Sequence, residues 1–324
     1  MLGIVNASIL FAYFAVCLVF FFPLNGALVR IRAHYDPKGV QLQDDLAGVD
    51  APPHTAPVPS FWGMLRRVRR IEGWGGLYKG MMPILVPTFF VVAVAALFLN
   101  DSQIPPERVT YSPADIPEKL GFSLGTMLVF LPLTIMSYRA IVIPASIRLP
   151  YFNALFSLRA LLTPEERQRP WRLYTTPGLV ATQFVEIIYT ILAQQVVSQY
   201  IVPNLPRSGS AAALIAKIFV FVAVVLLSTA IINPLDVITV RLMVQWNPLA
   251  SKISPATQED GGDDDGNAVK ETVIDLRTGR GSYTGLVGCA KTIIAEEGWG
   301  ALYRVWWLTM LGWFAAFGII FAKL

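Results

Sequence analysis

The sequence predicts an all-α membrane protein: six transmembrane helices in three pseudo-threefold repeats, with short surface helices between the odd and even helices. Three observations carry this. Of the 324 residues 54% are hydrophobic and 15% charged, and the mean hydropathy is +0.53, outside the range of ordinary soluble domains. Apolar segments long enough to cross a bilayer fall at 4–22, 81–99, 120–144, 179–202, 211–232 and 305–322. A proline-to-arginine pattern recurs three times, and internal repeats fix architecture before any other signal does.

The repeat is clearest at INPLDVITVRLMVQ, where an apolar run meets Pro234, then Asp236 and Arg241. A proline inside an apolar helix frees a backbone carbonyl and bends the axis. FPLNGALVRIR places Pro23 before Arg30, and LPLTIMSYRAI places Pro132 before Arg139. In all three a leucine follows the proline and an arginine stands seven residues on. The prolines are 109 and 102 residues apart. The chain therefore divides into repeats at 1–100, 101–202 and 203–324, the last carrying an acidic insert at 247–280.

A second echo follows each first helix. Residues 72–79 read EGWGGLYK and 297–304 read EGWGALYR. The middle copy, RPWRLYTTPG at 169–178, keeps only the Leu173–Tyr174 pair and basic neighbours. An aromatic-x-glycine pair opens a short helix at Phe61 to Gly63 and Tyr283 to Gly285, with Tyr151 to Asn153 as a weaker middle version.

Together these residues resemble the mitochondrial carrier family over essentially the whole chain. The family repeat is an odd-numbered helix ending in Pro-x-Asp/Glu-x-x-Lys/Arg, a short surface helix, an acidic-glycine link and an even-numbered helix. The resemblance implies the mitochondrial carrier fold and a multi-pass mitochondrial membrane protein, the inner membrane favoured and the outer one open.

Taken in order, the first span lacks a basic start and a small-residue cleavage site and belongs to the repeat, so it is expected to be retained. Six spans place both chain ends on one side. Of the 26 Lys and Arg, all but Arg108, Lys119, Arg207, Lys217 and Lys323 lie in or beside the three long connections, the asymmetry of an oriented membrane protein. The 61–71 helix carries Arg66, Arg67, Arg69 and Arg70 on its wet face, either snorkelling or touching anionic headgroups. Gly121 and Gly125 form a GxxxG in the third span, expected to allow close helix approach. Gln183 and Glu186 lie deep in the fourth span, where an acid is costly and faces a cavity or a partner. Small residues at 208–216 open the fifth span. The insert fails as a calcium loop, because no acid precedes Asp263 by two and the twelfth position is Thr272. It is expected to be a solvated acidic loop.

Other chemistries are not encoded. His34 and His54 lack companions at metal-ligand spacing, so no metal and no cofactor is expected. The glycines at 73, 75 and 76 follow no strand and make no dinucleotide loop. No nucleophile–base pairing is visible, so the chain is not expected to be an enzyme. No basic stripe points to nucleic acid. Cys17 and Cys289 are expected to be packing residues.

The departures from the family pattern are informative. The family's ion-pair ring uses an acid two residues and a base five residues after each proline. Here those positions hold Asn25 and Leu28, Thr134 and Ser137, Asp236 and Thr239. The candidate gate and kink residues are thus Pro23, Asn25, Pro132, Thr134, Pro234 and Asp236, with Arg30 and Arg241. A lone buried charge is costly, so Asp236 is expected to pair with Arg139 or Arg30 from another repeat, or else to be hydrated. The opposite gate of the family, an aromatic-acid-x-x-base group late in each even helix, is missing. Family contact points fall at Pro87 and Thr88, Gln183 and Phe184, and Gly312 and Trp313. The substrate-cavity candidates are Gln183, Glu186 and Thr88, with Arg139 as an anion partner. The resemblance also implies membrane phospholipid, cardiolipin included, at helix N-termini near Gly63, Gly80 and Gly285. Transport of an unidentified small solute is one reading. The other is a degenerate, non-transporting homologue of the outer membrane acting in fusion, shape or protein insertion.

Overall fold

The computed structural model describes residues 17–38, 60–83, 85, 116–143, 161–201, 211–245, 273–277 and 281–321. Most of the predicted second span lies outside these residues. Eight α-helices are numbered here: α1 Phe22–Ala33, α2 Phe61–Leu77, α3 Ile116–Val142, α4 Pro164–Gln168, α5 Leu179–Val196, α6 Ala211–Val244, α7 Leu286–Glu296 and α8 Trp306–Phe321. Among the described residues there is no β-strand. A π-turn, Cys17–Phe21, leads into α1 and another, Val197–Ile201, continues α5. Of the described helices, three are long and apolar enough to cross a membrane: α3, α5 with its π-turn to Gln199, and α6.

The proline-bearing helices α1, α3 and α6 touch one another pairwise, and α5 and α8 pack against them. Pro132 and Pro234 lie inside continuous helices, and Pro23 lies in the first turn of α1. A proline leaves the carbonyl four residues before it without a donor, and a bare acceptor in an apolar setting is costly. Each orphan is answered in the same way. The hydroxyl of Tyr78 donates to Val19 O at 3.2 Å, that of Tyr174 to Leu128 O at 3.0 Å and that of Tyr303 to Ala230 O at 3.2 Å. Val19, Leu128 and Ala230 each stand four residues before their proline. The tyrosines are those of the three link segments, so each bend is bonded to the link of its own repeat.

The short helices close the basic side. Ser60 caps α2 by accepting from Gly63 N at 3.1 Å, and α2 breaks at Gly73, whose φ is 71°. Thr163 and Glu166 form a capping box on α4. One core cluster joins α1 and α2 to Val240 and Val244, another joins α3 to α6 and α7, and a third surrounds Trp313 and Phe317 on α8. The insert is more than a solvated loop at its C-terminal end. Val273 and Ile274 are buried in the first cluster, and Tyr35 N donates to Asp275 O at 2.9 Å. Among the described residues no helix approaches Gly121 or Gly125 closely; both are exposed, and a Cβ at either would meet none of these residues within 4 Å.

Candidate functional site

The arginine seven residues after each proline pairs with the acid of its own link. Arg30 Nη2 meets Glu72 Oε2 at 2.7 Å, Arg139 meets both Glu166 oxygens at 2.7 and 2.8 Å, and Arg241 Nη2 meets Glu297 Oε2 at 2.9 Å. All three guanidiniums are buried. Charges at such depth need both a counter-charge and further hydrogen bonds. The further bonds go to helix C-termini, whose last carbonyls lack intrahelical donors and favour cations. Lys79, the second cation on Glu72, donates to Ile143 O at the end of α3 at 3.0 Å. Arg139 Nε donates to Met243 O at the end of α6 at 3.2 Å. Arg241 donates to Arg32 O and His34 O at the end of α1, each at 2.6 Å. Lys79 thus holds the end of α3, Arg139 the end of α6 and Arg241 the end of α1.

The electrostatics outside the membrane spans follow from this ring. Burial works against the charged form of Glu166, but its hydrogen bonds and attraction to Arg139 prevail and hold it below the usual carboxylate range. His34 is pushed down to about 4, first by burial and then by Arg304, Arg241 and Arg67. Its Nδ1 accepts from Asp275 N at 3.2 Å, so the neutral ring suits its place. Burial pushes the Cys289 thiol up to about 12, consistent with a packing role.

Above the ring, Arg32 and Asp236 form a floor. Arg32 Nη2 donates to Asp236 Oδ2 at 2.8 Å, to Thr309 Oγ1 at 2.8 Å and to Asn233 Oδ1 at 3.3 Å. Asn233 in turn donates to Leu302 O at 2.8 Å. This corrects the expected partner of Asp236: it is Arg32, not Arg139 or Arg30, both of which are committed to their link acids. Residues two apart on a helix point about 200° apart, so Arg30 faces α2 while Arg32 faces α6.

A cavity of about 340 Å³ rises from this floor. It runs toward the N-terminal end of α1 and the C-terminal ends of α5 and α8. Thr190, Gln194 and Thr309 give it polar walls; Leu28, Ile232, Leu308 and Trp313 give it apolar ones. Gly312 and Trp313, two of the family contact positions, both line it. Glu186 stands one turn before Thr190 on α5 and accepts from Gln183 Nε2 at 3.4 Å, and neither Gln183 nor Glu186 lines the cavity. Arg139 is absent from the cavity wall. Thr88 and Pro87 lie outside the described residues.

The remaining candidate gate positions do not bridge helices with charges. Thr134 Oγ1 bonds back to Phe130 O at 3.0 Å in its own helix, and Asn25 is half-buried in α1. Ser137, at the position of a gate base, donates to Gly80 O at 2.5 Å. Gly80 thus serves close approach to α3: a Cβ there would sit 2.5 Å from Ser137 O. Gly63 N, a lipid donor in the resemblance, is occupied by Ser60. The middle link has a glycine of its own. Gly178 opens α5 with φ 80°, matching φ 79° at Gly80, and lies four residues after Tyr174 where Gly80 lies two after Tyr78. Glu166 is displaced likewise, eight residues before its tyrosine instead of six. These offsets, one on each side of Tyr174, conceal both residues from a comparison of fixed spacing.

In the third repeat the glycine position holds Val305, with φ 57°. A β-branched residue in the left-handed region is strained by about 1–2 kcal/mol. Val305→Gly is expected to stabilise the protein by about 1 kcal/mol, part of the relief being offset by lost packing on the first core cluster. Thermal denaturation in detergent would show a higher midpoint; a lower one would mean that packing outweighs strain.

Residues 208–323 match the family model described as mitochondrial carrier protein. The match covers only the part of the chain that holds Pro234, where the acid two residues after the proline is kept. No curated protein matches the chain.

Proposed function

We propose that this protein is a carrier of the mitochondrial membrane that moves a small solute through the cavity between α1, α5, α6 and α8. The observation that carries the reading is the single Arg32–Asp236 bridge between α1 and α6 at the cavity floor. It stands where the family uses a ring of ion pairs, and it ties two helices from different repeats. A solute reaching the floor competes for Asp236 or Arg32, and loss of that bridge is what lets α1 and α6 separate. The three link clasps lie beyond it and join the same helices at their ends.

Six spans in pseudo-threefold order, with both chain ends on one side, are part of this proposal. So is phospholipid binding, cardiolipin included. Among the candidate positions Gly285 is the best placed, because the N-termini of α5 and α7 abut there at Gly178 and Gly285. Exposed Trp62, Trp74, Trp171 and Trp299 on the link segments suit the headgroup level.

The test is uptake by proteoliposomes against a panel of metabolites. Wild type should exchange at least one solute, and Asp236→Asn should alter both rate and leak. No uptake of any solute, together with residence in the outer membrane by protease protection, would favour the non-transporting reading instead.

A further inference from the structure

We infer that the cavity takes a solute of zero net charge, with an apolar body and a polar end that accepts from Arg32 while it donates to Asp236. This rests on the proposed use of the cavity as the solute site and adds the solute's chemistry.

The first observation is the balance of charge on the wall. Among the described residues that line the cavity the charged ones are Arg32 and Asp236, and they are bonded to each other at 2.8 Å. The acid of α5, Glu186, is not a lining residue. Residues 1–16 and 84–99 contain no charged side chain, so neither span brings a further charge to the wall. Thr190, Gln194 and Thr309 are polar and neutral. The cavity thus has no surplus cation to hold an anion and no surplus acid to hold a cation.

The second observation is that this bridge stands alone and is largely buried, with side chains 7% and 23% exposed. An anion that captures Arg32 strands Asp236, and a cation that captures Asp236 strands Arg32. A buried charge left without its partner is costly. A group that accepts and donates side by side covers both charges at once, so the bridge can open onto it with neither stranded. Both partners have capacity for this. Arg32 makes its three hydrogen bonds through Nη2, and its buried Nε has no partner, where such a donor is normally satisfied. Asp236 accepts from Arg32 and Thr309 through Oδ2, fewer than the about four bonds open to a carboxylate. Leu28, Ile232, Leu308 and Trp313 receive the apolar body, and 340 Å³ lies at the small end of ligand sites.

The test uses three probes of one shape and different charge: 4-methylpentanamide, which is neutral, 4-methylpentanoate, the anion, and 4-methylpentanamidine, the cation. Leucine is added as a zwitterion of no net charge. Each is titrated against the full-length protein in nanodiscs by equilibrium dialysis at neutral pH. The amide or leucine should bind at least about tenfold more tightly than both ions, and the tighter of the two tells an amide-like solute from a zwitterion. Gly312→Leu maps the site: it lies on the cavity wall, where a Cβ meets nothing within 4 Å, and should weaken the tighter probe at least about tenfold. Asp236→Asn leaves Arg32 in surplus and should reverse the ranking, the anion binding at least about tenfold more tightly than the amide. The inference is overturned if either ion equals the tighter neutral probe on wild type or if no probe binds. It is equally overturned if folded Gly312→Leu binds normally or folded Asp236→Asn keeps the wild-type ranking. Should Asp236→Asn fail to fold, the wild-type ranking and Gly312→Leu decide. Binding of a neutral probe without its uptake in proteoliposomes would sink the transport reading and leave the site; uptake of a singly charged solute by protein that binds neither the amide nor leucine would do the reverse.

Discussion

Replacing Glu297 with glutamine is expected to destabilise the protein by about 3–5 kcal/mol, the cost of leaving a buried charge without its partner. Its carboxylate receives Arg241 at 2.9 Å and Arg304 at 3.0 Å, with its side chain 1% exposed. Glutamine keeps the shape and one acceptor but removes the negative charge between two guanidiniums. Arg304 is already held below its ordinary range, by burial first and then by Arg241, and its other acid, Asp36, stands farther off at 3.9 Å. Glu296→Gln is the matched control. Its partner Arg277 lies in a partly solvated pair, worth about 0–1 kcal/mol. Denaturation in detergent should separate the two neighbours plainly, and equal effects would show that the clasp at Glu297 contributes no more than a surface pair.

The second large effect is expected at Gly178. Alanine there must adopt φ 80°, a strain of about 1–2 kcal/mol, and its Cβ would fall 2.6 Å from Gly285 Cα and closer still to Leu286 N. Backbone cannot swing aside as a side chain can, so the total should exceed about 3 kcal/mol. Gly73→Ala isolates the strain: φ there is 71°, but nothing lies within 4 Å of the new Cβ. It should cost about 1–2 kcal/mol only. If the two variants lose equal stability, α5 and α7 do not meet as described.

Much of the fold was legible because its rules are local. A proline and an arginine seven residues apart sit on one helix, and EGWG links announce themselves wherever they occur. The tyrosine bonds to the freed carbonyls follow from the same two motifs, and could have been anticipated by asking where each orphan acceptor finds a donor. The middle repeat was harder, since displaced spacing on either side of Tyr174 removed Glu166 and Gly178 from register. The cavity floor was not legible. Arg32 and Asp236 are separated by 204 residues, and the repeat pattern drew attention to Arg30 and Arg139, which face other helices. Gly121 and Gly125 erred in the opposite way: their motif states that a helix can be approached closely and is silent on whether anything does so.

The three tyrosine hydroxyls have a mechanical meaning. Straightening any of the elbows at Pro23, Pro132 or Pro234 would strip an acceptor of its tyrosine donor. Elbow and tail of one unit are therefore a single stiff piece, and the soft coordinates lie between units. Any relative movement of these helices is then expected to come from the units sliding past each other, with the curvature of each left unchanged.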